Sequence, residues 1–246
     1  MVHGMFPLPD VIIVPEQRDP GTRFALPRSE ENEVLSGTVL PPEHWVASRR
    51  TSFEAVKRLV DIVVAGLVIL FILSWLIPLI GLLIKLDSRG PVFFVQRRSG
   101  LYGKPFYCIK FRSMIVNPES DTMPASGNDP RITPTGRFLR HYFIDEVPQF
   151  INVLTGTMSI VGPRPHMVLE NKRYEELIER YPLRYRVKPG ITGPGQILET
   201  PGVTGLEKMK RRTYWDLWYI RHRNSRIDVR MVFKTVGYLA DRRRHS

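Results

Sequence analysis

The chain has 246 residues, 43% hydrophobic and 24% charged, with 36 Lys and Arg against 24 Asp and Glu. That composition excludes a disordered tail and a protein of many membrane spans, and the length allows one ordinary domain plus appendages. The net charge of +12 asks for an anionic partner, and the single cysteine, Cys108, excludes an internal disulfide framework and any cysteine-built zinc site. A reducing, cytoplasm-facing body is the simpler expectation.

The charge divides unevenly. Residues 1–48 carry 3 basic and 7 acidic residues, whereas 207–246 carry 12 basic and 4 acidic. The first segment is rich in proline (Pro7, Pro9, Pro15, Pro20, Pro27, Pro41, Pro42) and shows no helical period, so 1–48 is expected to be a poorly ordered arm. Met1–Pro9 lacks a basic stretch followed by an apolar run, so no cleavable signal peptide is expected.

Residues 49–89 hold the strongest compositional signal. Ile62–Ile84 runs 23 residues without a charge; as a straight helix it reaches about 35 Å, enough for a hydrocarbon core of about 30 Å. Arg49, Arg50, Lys57 and Arg58 precede the run, and Lys85, Arg89, Arg97, Arg98 and Lys104 follow it. A plain span keeps its basic residues on one side. Pro78 frees the carbonyl of Ser74 and bends the helix. Two readings follow: a re-entrant helix broken near Ser74 and Pro78 that enters and leaves by one face, or a kinked single span with a basic outer loop.

Residues 90–246 read as a body of mixed α and β structure, mainly α. Pro91–Gln96 and Phe106–Arg112 are expected as a small hairpin turned at Ser99–Lys104, and Asn117–Thr135 as loop. Arg137–Tyr142, Val147–Leu154, Met167–Tyr181 and Met209–Ala240 are expected helices, with Val187–Gly205 irregular between the last two. Trp215, Trp218 and Tyr219 among dense Arg and Lys suit an interfacial amphipathic helix facing anionic lipid; a solvated helix with core aromatics fits as well. Cys108, between aromatics on a strand, reads as a small core residue.

Four constellations bear on chemistry. Asp145-Glu146 followed by Pro148-Gln149 is a common way to begin a helix, but adjacent carboxylates at such a place also suit phosphate chemistry: one can attack phosphorus and its neighbour can hold a metal ion. Arg164 between Pro163 and Pro165 is either an incidental surface arginine or a rigidly aimed phosphate ligand. The Gly-rich run Arg186–Gln196, with Gly190 and Thr192, can expose backbone N–H groups to a phosphate but lacks the spacing of a Walker loop or a dinucleotide fingerprint. Lys110 and Arg112 share one face of the second strand by alternation. The six histidines show no metal-ligand spacing.

Taken in order, these segments resemble the bacterial sugar transferases, the small monotopic polyprenol-phosphate phosphoglycosyl transferases. The resemblance runs from about Lys57 to Tyr238. It rests on Lys57-Arg58 with Asp61, Gly90-Pro-Val-Phe-Phe-Val-Gln96 with Arg98 and Gly100, Lys110-Phe-Arg-Ser-Met114, and Gly136-Arg-Phe-Leu-Arg140. It continues through Asp145-Glu146 with Pro148-Gln149, Asn152-Val-Leu154, Gly156, Met158-Ser-Ile-Val-Gly-Pro-Arg-Pro165, and Lys188-Pro-Gly-Ile-Thr-Gly193.

The resemblance implies transfer of a sugar-1-phosphate from a UDP-sugar to polyprenol (undecaprenyl) phosphate. Asp145 would be the nucleophile of a covalent phosphosugar intermediate. Glu146, with Asp145, would hold Mg2+. Lys110, Arg112, Arg164, Gln149, Gly190, Thr192 and Gln196 would surround the donor. It also implies a re-entrant membrane helix in the bacterial inner membrane, a catalytic body on the cytoplasmic face, a role in surface polysaccharide synthesis, and a possible homodimer. Four positions depart from the family pattern: Thr157 replaces an Asp, Val147 replaces a Leu, Ser74 and Pro78 stand a turn apart, and Ile197–Thr200 offers no arginine after Gln196. A non-catalytic basic membrane scaffold needs the apolar helix and the basic tail but not Asp145. A nucleic-acid partner is suggested by charge alone and opposed by the apolar run, since basic charge suits anionic lipid equally.

Overall fold

The computed structural model describes residues 51–116, 129–198 and 203–242. The proline-rich arm and the loop portion 117–128 lie outside them. The chain is mainly helical, with one small hairpin and one pair of very short strands.

Helices α1 (Thr51–Val68) and α2 (Ser74–Asp87) form one apolar rod, joined by a π turn at Ile69–Leu73. The sequence places the break at Ser74 and Pro78; the structure places the irregular turn just before them and carries Pro78 inside α2. Proline removes one ladder donor and crowds the carbonyl four residues back, and a wide turn upstream accommodates that crowding. Two side chains stitch the π turn: the Ser74 hydroxyl donates to the Leu70 carbonyl at 2.6 Å and the Trp75 indole to the Phe71 carbonyl at 2.8 Å.

One face of the rod is buried along its length, through Asp61, Ala65, Leu73, Leu76, Ile80 and Ile84. The opposite face exposes Leu67, Leu70, Phe71, Trp75, Leu82 and Leu86. Ser52–Asp87 is long and apolar enough to cross a membrane. Both ends are nevertheless tied to the same body. Near the start, Arg58 donates to the carbonyls of Val153 and Leu154 at 2.6 and 2.8 Å, and Asp61 accepts from the Ile160 amide at 3.0 Å. At the far end, Asp87 accepts from the Thr135 amide at 3.0 Å.

Strands β1 (Phe93–Ser99) and β2 (Pro105–Phe111) pair antiparallel, with Gln96 opposite Cys108. Cys108 is fully buried with Phe106, Val153 and Met158, as a core residue should be. Helices α3 (Pro134–His141) and α4 (Gln149–Thr155) follow, separated by a 3-10 turn at Ile144–Glu146. Strand β3 (Ser159–Val161) then pairs parallel with β4 (Gly190–Thr192), across α5 (Val168–Leu177) and a 3-10 segment at Tyr181–Arg186. The sequence reads Val187–Gly205 as irregular and misses this pair. Its cause is close approach: a Cβ at Gly190 would stand 2.1 Å from the Gly162 nitrogen, and one at Gly193 2.2 Å from the Gly162 oxygen.

After the short α6 (Pro194–Ile197), the single helix expected over Met209–Ala240 is two: α7 (Gly205–His222) and α8 (Ser225–Arg242). Asn224 starts α8, its side-chain oxygen accepting from the Ile227 amide at 3.1 Å. Of the three aromatics, Trp218 and Tyr219 of α7 are buried in the core with Tyr214, Leu217 and Met231 and do not face an interface, whereas Trp215 is partly buried against the same cluster. The exposed apolar stripe lies instead on α8, at Val229, Val232, Phe233 and Val236.

Candidate active site

The site is built where α3 turns into α4. Phe143 takes a left-handed conformation at φ 56, and Ile144–Glu146 make one 3-10 turn before Pro148 opens α4. Asp145 and Glu146 therefore stand on a tight turn one step ahead of the helix, and Asp145 is not its cap. A non-glycine residue at positive φ is strained, and such strain collects at functional turns.

The two carboxylates have different surroundings. Glu146 is gripped: the Lys110 ammonium lies 2.5 Å from Oε1, and the Arg164 guanidinium reaches Oε1 at 2.8 Å and Oε2 at 3.4 Å. Burial alone would raise its pKa, but Arg164 and Lys110 reverse that and hold it well below the usual carboxylate range. Asp145 is only 7% exposed. Desolvation pushes its pKa up to about 6, eased by the nearby Lys110 and raised further by Glu146, with Arg140 and Arg164 also easing it. Neighbouring carboxylates whose environments drive them apart are the usual sign of divided labour. At neutral pH Glu146 is a fixed anion and Asp145 an ionised but poorly solvated oxygen.

The structure joins Lys110, Arg164 and Gln196 to this pair. Arg164 Nη1, the nitrogen that reaches Glu146 Oε2, also donates to the Gln196 side-chain oxygen at 3.0 Å. Gln149 is buried in the first turn of α4, four residues from Asp145. Arg112 does not join. Strand β2 ends at Phe111, and the Arg112 side chain turns back to the carbonyls of Ser88 at 2.7 Å, Ile84 at 3.4 Å and Arg89, clamping the end of α2. Alternation along the strand did not carry past its last residue. Gly190 and Thr192 form β4, where the Gly190 amide donates to Pro163 and the Thr192 carbonyl accepts from Gly162, so their backbone holds β3 and the Arg164 turn and forms no open nest. Ser74 and Pro78 belong to the rod.

Four residues that the sequence reading did not assign to the site surround the cluster: Arg98, Arg140, Arg184 and Asp216. Arg140 is held by Ser113 at 2.9 Å and bears on Asp145 through its charge. Nothing in the spacing of Arg184 and Asp216, 32 residues apart, marks them as a pair; only the fold brings them together. Thr157, where the family pattern has Asp, keeps a local polar role, bonding Asn152 through its hydroxyl at 3.2 Å.

A sequence model for bacterial sugar transferases matches residues 52–242, which spans every element of the site. The chain belongs to the bacterial sugar transferase family. The protein is 52% identical over 182 residues to the UDP-glucose:undecaprenyl-phosphate glucose-1-phosphate transferase of Escherichia coli strain K12, covering 73% of this chain and 39% of that one. It is 41% identical over 229 residues to the protein of the same name in Xanthomonas campestris pv. campestris, covering 92% and 46%. A Caulobacter vibrioides protein of that name is 40% identical over 192 residues, covering 77% of this chain and 72% of its own. This family member thus spans less than half the length of the first two relatives.

Proposed function

We propose that this protein transfers a sugar-1-phosphate from a UDP-sugar to undecaprenyl phosphate, with UDP-glucose the first donor to test because the relatives named above are named for it. One observation carries the reading: a desolvated Asp145 carboxylate with a raised pKa stands beside a Glu146 locked by Lys110 and Arg164. A buried carboxylate shorn of water is a stronger nucleophile, and fixed cations beside it suit a phosphoryl group gaining charge.

In this scheme an Asp145 oxygen attacks the β-phosphorus of the donor. The bond from that phosphorus to the oxygen bridging to the α-phosphate breaks, and UMP leaves with the electron pair. The phosphosugar remains as an acyl phosphate on Asp145. An oxygen of the lipid phosphate then attacks the same phosphorus, the Asp145–phosphorus bond breaks, and the polyprenyl-diphosphate sugar departs. Lys110 and Arg164 steady the phosphate oxygens throughout, and Gln196 orients Arg164.

Among the described residues no three metal-ligand side chains cluster. Asp145 and Glu146 nevertheless fit magnesium, which takes one or two carboxylates and leaves its other positions to substrate phosphates and water. When bound, the ion would screen charge between the dyad and the diphosphate.

The rod's two tethered ends and its long buried face support a re-entrant seat on one leaflet, with the body on the cytoplasmic side of a bacterial inner membrane. The exposed α8 stripe supports interfacial contact there. Product would enter surface polysaccharide synthesis.

The test is UMP release by purified protein in nanodiscs with magnesium, undecaprenyl phosphate and UDP-glucose. Lipid-dependent UMP that vanishes in Asp145→Asn is the expected result. A folded protein releasing no UMP from any UDP-sugar would overturn the reading and leave a basic membrane scaffold.

A further inference from the structure

Behind Arg164 lies a second buried ion pair. Arg184 and Asp216 are both almost inaccessible, with Arg184 Nη2 2.7 Å and Nε 2.8 Å from the same Asp216 oxygen, Oδ2. The same Nη2 donates to the backbone carbonyl of Arg164 at 3.0 Å. Nη1 lies 3.2 Å from His166 Nδ1, and the guanidinium sits 4.7 Å over the Tyr181 ring.

The three carbonyls of Pro163-Arg164-Pro165 are each held by a different donor. Pro163 accepts from the Gly190 amide at 2.9 Å, Arg164 from Arg184, and Pro165 from Arg98 Nη1. Proline on both sides fixes φ there and leaves no N–H of its own. The direction of the Arg164 side chain is therefore set by what grips these carbonyls. Asp216 also backs the other side of the site. Gly195 packs so closely on it that a Cβ there would stand 2.6 Å from Asp216 Oδ1, and Gly195 precedes Gln196, the residue that accepts from Arg164.

We propose that Arg184 and Asp216 are a positioning pair. They touch no reacting atom but jointly aim Arg164, through its carbonyl, and Gln196, through its neighbour, at the phosphate position beside Asp145. A buried ion pair adds little net stability over a well-packed apolar pair of equal volume. A pair that also bonds the backbone of a substrate-facing arginine has a second task, which is geometry. This rests on the transfer reaction proposed above.

The test is turnover in nanodiscs with UDP-glucose and undecaprenyl phosphate, alongside the melting temperature. Wild type is run first; if it releases no UMP, the transfer reading fails before the pair is judged. Arg184→Lys keeps a positive charge against Asp216, but its shorter chain without the planar fork cannot hold an ammonium where Nη2 meets both Asp216 Oδ2 and the Arg164 carbonyl. Tyr181→Phe is the matched control. Its hydroxyl is buried in the same network, donating to Asn171 at 2.7 Å and lying 2.7 Å from His166 Nδ1, but it makes no bond to Arg164 or to Asp216.

The expected result is a tenfold or greater fall in kcat for Arg184→Lys, with KM for the donor within threefold and melting no lower than for Tyr181→Phe, which keeps kcat within twofold. Gly195→Ala, which crowds Asp216 Oδ1 and the Arg212 carbonyl behind it without removing either charge, should lower kcat in the same manner. It decides the matter if Arg184→Lys does not fold. Full turnover in whichever of Arg184→Lys and Gly195→Ala folds, or an equal kcat loss in Tyr181→Phe, would overturn the assignment.

Discussion

The apolar rod and the charged cluster beneath Arg164 are stable for opposite reasons. The rod turns outward what soluble proteins bury, with Phe71 65% and Leu86 76% exposed. The cluster buries what they expose, with Arg184 and Asp216 nearly inaccessible. Exposed apolar surface ceases to be a cost in lipid, and buried charge ceases to be one when it is paired. Each region is sound only in its own surroundings, and each fails by a different substitution.

The largest effect is expected at Asp145. Asp145→Asn should abolish turnover and any labelled phosphosugar adduct, yet make the fold more stable. The sign follows from the raised pKa of about 6 against an ordinary value of 3.8. Between those values the folded state holds a proton that the unfolded state lacks, so stability falls as pH rises through that window and the neutral side chain avoids the loss. A gain of up to about 3 kcal/mol in denaturant unfolding at pH 7 is expected. In wild type, turnover should decline as pH falls through about 6, when the carboxylate protonates. An Asn variant that melts lower than wild type would break the contrast between a functional charge and a stabilising one.

Next comes the pair behind the site. Arg184→Ala leaves Asp216 charged and buried without its ion-pair partner, and should cost about 3–5 kcal/mol. A loss under about 1 kcal/mol in chemical unfolding would mean that water reaches Asp216. On the rod, Phe71→Lys places a charge on the lipid side without disturbing the buried face, and should cost about 2.5–3.5 kcal/mol of membrane insertion. Flotation with liposomes reads it, and unchanged binding would mean that this face does not meet lipid.

These two regions were also unequally legible. The rod announces itself as an uncharged run, and the dyad and Arg164 as motifs, because local order fixes their surroundings. Arg112 misled because alternation holds only within a strand, and β2 ends one residue earlier. The aromatic residues of α7 misled because rings among cations look alike in a core and at an interface; the break at Asn224 turns them inward and hands the apolar stripe to α8. β3 and β4 are three residues each and carry no alternation to read. Arg184 and Asp216 are ordinary charged residues until the fold closes over them.

The smallest effect is expected where a charge pair stays wet. Arg223 lies 2.5 Å from Glu54 at the start of the rod, but the Glu54 side chain is 46% exposed. Coulomb attraction there is screened by solvent and set against the entropy of holding two long side chains. Glu54→Ala should therefore cost well under about 1 kcal/mol, and less in added salt. Lys57, one turn along, pairs with Asp228 at 2.6 Å with both side chains largely buried, and Asp228 also accepts from the Tyr219 hydroxyl at 2.7 Å. Lys57→Ala should cost more than Glu54→Ala and respond less to salt, because the anion it abandons has little water to turn to. Equal losses from the two, with the same salt dependence, would show that the seam between rod and body is solvated throughout and that burial does not separate its contacts.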